Sequence, residues 1–385
     1  MAVLCSNCSG KLIFNPASQK LECVSCGSKF YPEDVEDSST TLHSKYYSTC
    51  VYTCSHCGAE VITSDTEAST FCVYCGNPAI VFSRMSEEFR PDGIIPFKIT
   101  KEQAISFINA RFLKNPFVPA EVKAKLTPDN IRGIYIHYWV VNADYTEADI
   151  FSGDVKRGKN SVKVFFSRAG DAEFQNLPID GSRLLSDDIS FRLEPFYLEE
   201  AKAFDEDYLN GFYSNISDLT YIDLKNSAAD RCHRLFTEDA MKTIRAKNVK
   251  LEDSIRWIDI HDDPIYMLMP VWFFTFRYKE KPYTILVNGQ LGKVVGTMPW
   301  NKKSIVGIGG GVCFAVLLLT GLCFARLLTP RLGGLYSMYS YVASVTMAVS
   351  VTLFATGLAG LRKIRRNLRL TQSEDMFKFV KRRQE

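Results

Sequence analysis

Four Cys-x-x-Cys pairs near the N-terminus, an aromatic-rich middle and two long uncharged runs near the C-terminus predict a multidomain chain. The expected fold class is two N-terminal zinc ribbons, a central α+β domain and a C-terminal transmembrane helical hairpin. The expected boundaries are 1–30 for ribbon 1, 31–49 for an acidic linker, 50–80 for ribbon 2 and 81–300 for the α+β soluble domain. Residues 304–328 and 335–361 are the expected membrane helices, and 362–385 a basic cytosolic tail. At 385 residues the chain has room for two or three domains of about 150 residues each. Its 46% hydrophobic and 23% charged residues exclude a disordered or collagen-like chain.

The cysteines are the strongest signal. Nine of the twelve fall in the first 75 residues. Cys5 and Cys8 are followed after fourteen residues by Cys23 and Cys26; Cys54 and Cys57 are followed, again after fourteen, by Cys72 and Cys75. The equal spacing marks an internal duplication. Paired CxxC motifs at such separations read as zinc sites, because four thiolates supply a closed tetrahedron. Two structural zinc ions are therefore expected, held by Cys5, Cys8, Cys23 and Cys26 and by Cys54, Cys57, Cys72 and Cys75. Gly27, Gly58 and Gly76 directly follow a second cysteine, where the turn beneath the metal favours positive φ. Lys11–Phe14 and Glu60–Thr63 read as short hairpin strands between the knuckles. Disulfides are the competing reading. Met1-Ala2-Val3-Leu4 has neither a basic nor an apolar leader pattern, which favours thiolates. Cys50 is left over and reads as a plain linker or buried cysteine, and His56 as a turn residue.

Charge argues about the partner. Residues 1–80 carry four lysines against eight acids, a net −4. Phosphate readers cluster Lys and Arg. Nucleic acid is thus disfavoured, and a protein partner is expected through the ribbons or the α+β domain.

The middle reads as helix and strand in alternation. Thr100-Lys101-Glu102-Gln103 is a capping box opening a helix with Ala104, Ile105, Ile108 and Phe112 on one face. Ile134–Val141, Ser161–Ser167, Ile265–Tyr278 and Tyr283–Val287 read as strands, and 197–247 as mostly helical. Asn288-Gly289 signals a hairpin turn. Trp139 and Trp272 stand in similar settings, each with Tyr six residues on, which suggests two related β units. No catalytic motif appears: His43, His137, His233 and His261 are far apart, and HExxH, GxSxG, Walker A and the dinucleotide fingerprint are missing. No catalytic residue is assigned.

Near the C-terminus, residues 305–325 and 335–361 carry no charge, long enough as helices to cross about 30 Å of hydrocarbon. Lys293, Lys302 and Lys303 precede the first run, and five basic residues from Arg362 to Arg369 follow the second. The positive-inside rule places both termini in the cytoplasm. The expected location is the cell membrane, multi-pass, with the lipid bilayer as a partner. Gly307, Gly311 and Ala315 recur every four residues, as do Ser340, Ser344, Ala348, Thr352, Thr356 and Gly360. Such stripes let helices approach closely, within the hairpin or between copies as a homo-oligomer.

One set of residues carries a family likeness. It comprises Cys54–Cys75 with Pro78, Ile95-Pro96-Phe97-Lys98, Gly133-Ile134-Tyr135 through Trp139, Pro270-Val271-Trp272, and Val287-Asn288-Gly289-Gln290-Leu291-Gly292 through Gly296. Over roughly residues 50–300 the chain resembles uncharacterised bacterial membrane proteins with an N-terminal TFIIB-type zinc ribbon. Such ribbons are sometimes labelled by likeness to the zinc region of the PriA replication-restart helicase. His137 and Leu291 depart from the family pattern, which has Pro and Thr there. The resemblance implies zinc and a membrane setting, and no established activity. The helicase label does not transfer to a chain without Walker A.

Overall fold

The structure, a computed structural model of the chain, describes residues 4–35, 45–63, 72, 74–75, 80–112, 117–158, 160–182, 187–215, 217, 219–279, 281–296, 298–299, 301 and a few helical residues between 307 and 352.

The first ribbon builds its own three-stranded antiparallel sheet from β1 (Leu12–Asn15), β2 (Lys20–Cys23) and β3 (Lys29–Phe30). Alternation turns Leu12, Phe14 and Leu21 inward, where all three are buried. This face is too small to form a core by itself. It docks instead on the central domain: the Phe14 ring meets Tyr208 at 5.1 Å and Phe212 at 6.5 Å.

The second ribbon is not a separate unit. Its strands β4 (Tyr46–Cys54), β5 (Glu60–Thr63) and β6 (Ile80–Phe89) belong to an 11-stranded sheet with the rest of the chain. The sheet continues through β7 (Gly93–Ile94), then α1 (Lys101–Phe112) and α2 (Ala120–Lys123) intervene. Next come β8 (Ile131–Arg157) and β9 (Asn160–Asp180), α3 (Asp187–Leu193), β10 (Lys202–Ala203) and β11 (Tyr213–Ser214). The described sheet closes with α4 (Tyr221–Lys242), β12 (Lys247–Tyr278), β13 (Lys281–Asn288) and β14 (Val294–Gly296).

Two very long strands organise the molecule. β8 and β12 lie side by side and antiparallel, from Lys247 opposite Asp154 to Phe274 opposite Ile131. Each forms a hairpin with the following strand, β8 with β9 and β12 with β13. A helix precedes each hairpin, α1 the first and α4 the second. Trp139 and Trp272 sit on the first strand of each hairpin, Trp139 far from its turn and Trp272 near its own. Strand length exceeds the sequence reading because the distal halves alternate polar and apolar residues. Their outer face carries charge, which hides a strand from a search for apolar runs.

The proximal core is aromatic, as expected. Phe97 stacks on Phe212 at 4.4 Å and meets Tyr135 at 5.0 Å and Trp272 at 4.9 Å. The Trp272 indole N–H donates to the Ile99 carbonyl at 2.9 Å. The α1 capping box forms: Thr100 N–H donates to Gln103 Oε1 at 2.9 Å, and Gln103 N–H to Thr100 Oγ1 at 3.3 Å.

Several expectations are corrected. The described chain is mostly sheet, so a balanced α+β middle does not stand. The span 197–247 holds 3-10 turns, two short strands and one long helix, α4. The turn at Asn288-Gly289 is not a two-residue hairpin. It runs to Lys293, whose carbonyl accepts from Asn288 N–H at 2.9 Å. The Asn288 side chain is used for anchorage, donating to the Leu193 and Pro195 carbonyls at 2.9 and 3.0 Å.

The largest correction concerns the C-terminus. Among the described residues no helix is long and apolar enough to cross a membrane. The transmembrane hairpin of 304–328 and 335–361, and the multi-pass cell-membrane location with cytoplasmic termini, therefore do not stand. Of these two runs only scattered residues are described, among them Gly307, Gly311, Ala315, Ala348 and Thr352, each helical. Nothing among the described residues lies within 4 Å of a Cβ placed on Gly307 or Gly311. Ser340, Ser344, Thr356, Gly360, the tail 362–385 and linker residues 36–44 lie outside the described residues.

Candidate metal centres

The eight expected cysteines converge into two clusters of four. In the first, Cys5 Sγ lies 3.6 Å from Cys26 Sγ, and Cys8 Sγ 3.4 Å from Cys23 Sγ. In the second, Cys54 Sγ lies 3.7 Å from Cys75 Sγ, and Cys57 Sγ 3.8 Å from Cys72 Sγ. Within each cluster all four sulfurs are within 4.8 Å of one another. A disulfide would bring a pair to about 2.05 Å. A tetrahedral tetrathiolate with metal–sulfur bonds of about 2.3 Å has edges of about 3.8 Å. The clusters have the second geometry, and all eight cysteines are free thiols.

Each cluster is made by two turns whose shape comes from the CxxC spacing. The residue four after the first cysteine closes the turn onto that cysteine's carbonyl. Ser9 N–H donates to Cys5 O at 2.7 Å, Gly27 to Cys23 O at 3.0 Å and Gly58 to Cys54 O at 2.8 Å. This closing residue has positive φ: 55° at Ser9, 73° at Gly27 and 67° at Gly58. Gly10, one position later, answers a different need. A Cβ there would lie 2.6 Å from Ser25 Oγ, on the opposing knuckle.

The two clusters differ in setting. Cys8 and Cys26 are exposed, whereas all four thiols of the second cluster are buried. Tyr74, between Cys72 and Cys75, packs edge-on against Phe273 of β12 at 5.7 Å. Crowding shows in the acidities. Hydrogen bonding with Cys57 and Cys75, together with burial, pushes the Cys72 thiol far above its ordinary value. Hydrogen bonds from Ser28 pull Cys26 down to about 6. Four sulfurs so close cannot all ionise without a cation among them, and a cation supplies that condition. Both clusters can therefore hold a metal ion.

Cys50 is not a ligand. Its thiol donates to Met85 Sδ at 3.3 Å on the neighbouring strand. His137 is fully buried. Its Nε2 lies 2.9 Å from Ser214 Oγ, and its Nδ1 meets the Tyr266 hydroxyl. Ser214 Oγ donates to the Tyr135 carbonyl at 3.0 Å, so it accepts from His137 Nε2–H and leaves Nδ1 to accept from Tyr266. This is a satisfied structural histidine.

No protein-family model matches the chain, and no solved structure matches it. Among curated proteins it is similar to the "Uncharacterized protein YdjG" of Bacillus subtilis (strain 168). The two are 25% identical over 344 residues, covering 82% of this chain and 96% of YdjG. The likeness thus extends over most of both proteins, and it carries no activity.

Proposed function

We propose that the chain is a zinc-stabilised protein-binding or assembly module. Zinc is the metal this reading gives to both four-cysteine clusters, one ion each. Tetrahedral, all-thiolate coordination suits Zn²⁺, and a closed shell of four protein ligands leaves no position for substrate. The ions act structurally, holding turns that small ribbons cannot hold by hydrophobic burial. The resemblance to zinc-ribbon proteins points the same way.

The observation that carries the binding role is the outer edge of β6. This strand ends the order of the main sheet, beyond β4. It runs for ten residues and exposes Phe82, Met85 and Phe89, with Tyr46 edge-on to Phe89 at 6.1 Å. A long edge bearing exposed apolar side chains is a template for an added strand. Backbone hydrogen bonds supply affinity in that mode, and alternate side chains supply specificity. The second cysteine cluster joins the end of β4, at Cys54, to the approach to β6, after Cys75, so its metal would fix the edge. The net −4 of residues 1–80, with a further formal −2 per tetrathiolate zinc, opposes phosphate binding.

The test is crosslinking of the full chain in extracts, comparing wild type with Phe82→Lys/Met85→Lys. Capture lost in the variant, with two zinc ions per chain retained, supports the reading. Unchanged capture removes β6 as the docking edge. Nucleic-acid binding with a steep salt dependence would overturn the protein-binding role altogether.

A further inference from the structure

The distal half of the sheet holds a second kind of donor set. Along β8, the residues facing α4 are Val141, Ala143, Tyr145, Glu147, Asp149 and Phe151. Four of these belong to apolar clusters beneath the helix, and two acids stand among them. Spacing of two along a strand puts both carboxylates on one face. Glu147 is 0% exposed and Asp149 1%. From α4, His233 brings Nδ1 to 2.5 Å from Glu147 Oε1. One donor atom each from Glu147, Asp149 and His233 lie within 4.8 Å of one another.

Two buried carboxylates this close must share a proton or meet a positive charge. The nearest arginines by strand register are committed elsewhere. Arg168 stands opposite Asp149, and Arg256 opposite Glu147. Arg168 donates through Nε to Thr243 Oγ1 at 2.7 Å and through Nη1 to the Ser167 carbonyl at 2.8 Å. Arg256 pairs with Asp230 at 2.9 Å. Glu147 is held in place: Tyr145 O–H donates to Oε2 at 2.7 Å and Ser254 O–H to Oε1 at 2.9 Å. Asp149 is not. Neither of its carboxylate oxygens meets a hydrogen-bond partner among the described residues. An unpartnered buried carboxylate is rare in a native interior and calls for an unplaced ligand.

We propose that Glu147, Asp149 and His233 form a third metal centre, binding a divalent cation of the first transition series such as Mn²⁺, Fe²⁺ or Zn²⁺. Two carboxylates and an imidazole are the donor types those ions accept. The cation supplies the charge that Arg168 and Arg256 do not, and gives Asp149 its partner. Tyr145 and Ser254 then orient the Glu147 carboxylate from behind, as outer hydrogen bonds do in metal sites. His233 is 26% exposed in its side chain, which gives the ion a route in beside the helix. The ion would tie α4 to β8. Three protein ligands leave coordination positions for water or a small anion, unlike the closed thiolate clusters.

The test uses the full chain with its native metal content and Mn²⁺ as probe. Mn²⁺ prefers oxygen and nitrogen donors and competes poorly for thiolates. Binding is read as loss of the free-Mn²⁺ electron paramagnetic resonance signal. One Mn²⁺ per chain is expected, weakened by at least about tenfold in Asp149→Asn and in His233→Gln. Asp239→Asn, an exposed carboxylate on α4 outside every metal cluster, should bind Mn²⁺ as wild type does. If Asp149→Asn does not fold, the variant His233→Gln at the partly exposed histidine, checked by circular dichroism, decides. Wild type that takes up neither Mn²⁺ nor Co²⁺ at millimolar concentration outside the thiolate clusters overturns the proposal. So does equal Mn²⁺ binding by a folded His233→Gln protein.

Discussion

The Glu194 carboxylate and the Arg231 guanidinium form a two-pronged pair that ties the segment after α3 to α4. Arg231 Nη1 lies 2.7 Å from Glu194 Oε1, and Nη2 meets Oε2. Phe191 covers the guanidinium at 5.3 Å from its ring centre. The side chains are only 14% and 13% exposed. Burial raises the Glu194 carboxyl, and Arg231 opposes that shift. Arg231→Ala would leave a buried carboxylate alone and should cost about 3–5 kcal/mol. Urea denaturation of the full chain measures it. Adding Glu194→Gln should restore part of the loss through a non-additive coupling. A midpoint unmoved by Arg231→Ala would show that water reaches the pair.

His137 makes the fold acid-sensitive. Burial lowers its imidazole from 6.5 to about 3. The unfolded chain therefore takes up a proton below about pH 6.5 that the folded chain refuses until about pH 3. Stability is complete above that window and falls as pH drops through it, by up to about 5 kcal/mol. His137→Gln should flatten this part of the stability–pH curve. An identical slope in wild type and variant would assign the acid loss to other groups.

Metal removal should occur in two phases. Cys8 and Cys26 are exposed, whereas the second cluster is buried among strands of the main sheet. A colour-forming chelator should strip the first cluster fast and the second slowly. Near-ultraviolet circular dichroism, which reports aromatics such as Phe273 and Tyr74, should change with the slow phase. One phase, or an aromatic signal lost with the fast phase, would contradict this order.

Gly133 is a site of close approach. A Cβ there would lie 2.4 Å from Phe212 and 3.2 Å from Phe97, whose rings are stacked and buried. Gly133→Ala should overpack this core and destabilise the protein by about 2 kcal/mol. Thermal unfolding checks it, and Gly133→Ala/Phe212→Leu should recover part of the loss. Neutral behaviour of the single variant would mean that the rings yield without strain.

Much of the thiolate chemistry was legible in the sequence. Cys5 to Cys75 declare themselves because a metal knuckle is a local motif with fixed spacing. Thr100 and Gln103 declared the start of α1 for the same reason. The Glu147, Asp149 and His233 cluster was hidden, since His233 is 86 residues from Glu147. One local signal was present: in Tyr145-Thr146-Glu147-Ala148-Asp149-Ile150-Phe151, two acids occupy positions whose strand neighbours on the same face are aromatic. The long strands were under-read for a related reason. Polar outer faces mask the alternation in β9 and in the first half of β12. The uncharged C-terminal runs were read as membrane spans, and no helix among the described residues is long and apolar enough to be one.

The sequence by itself determined the local chemistry: two four-cysteine sets, the cap of α1 and the aromatic strands. Those depend on residues within a few positions of each other, where backbone geometry leaves little choice. The tertiary structure alone decided that the second ribbon merges with the main sheet, that Arg168 and Arg256 turn away from the acids opposite them, and that Asp149 is buried without a partner. Each of these depends on strand register across distant segments. Register is fixed only when the whole sheet forms and its faces bury together.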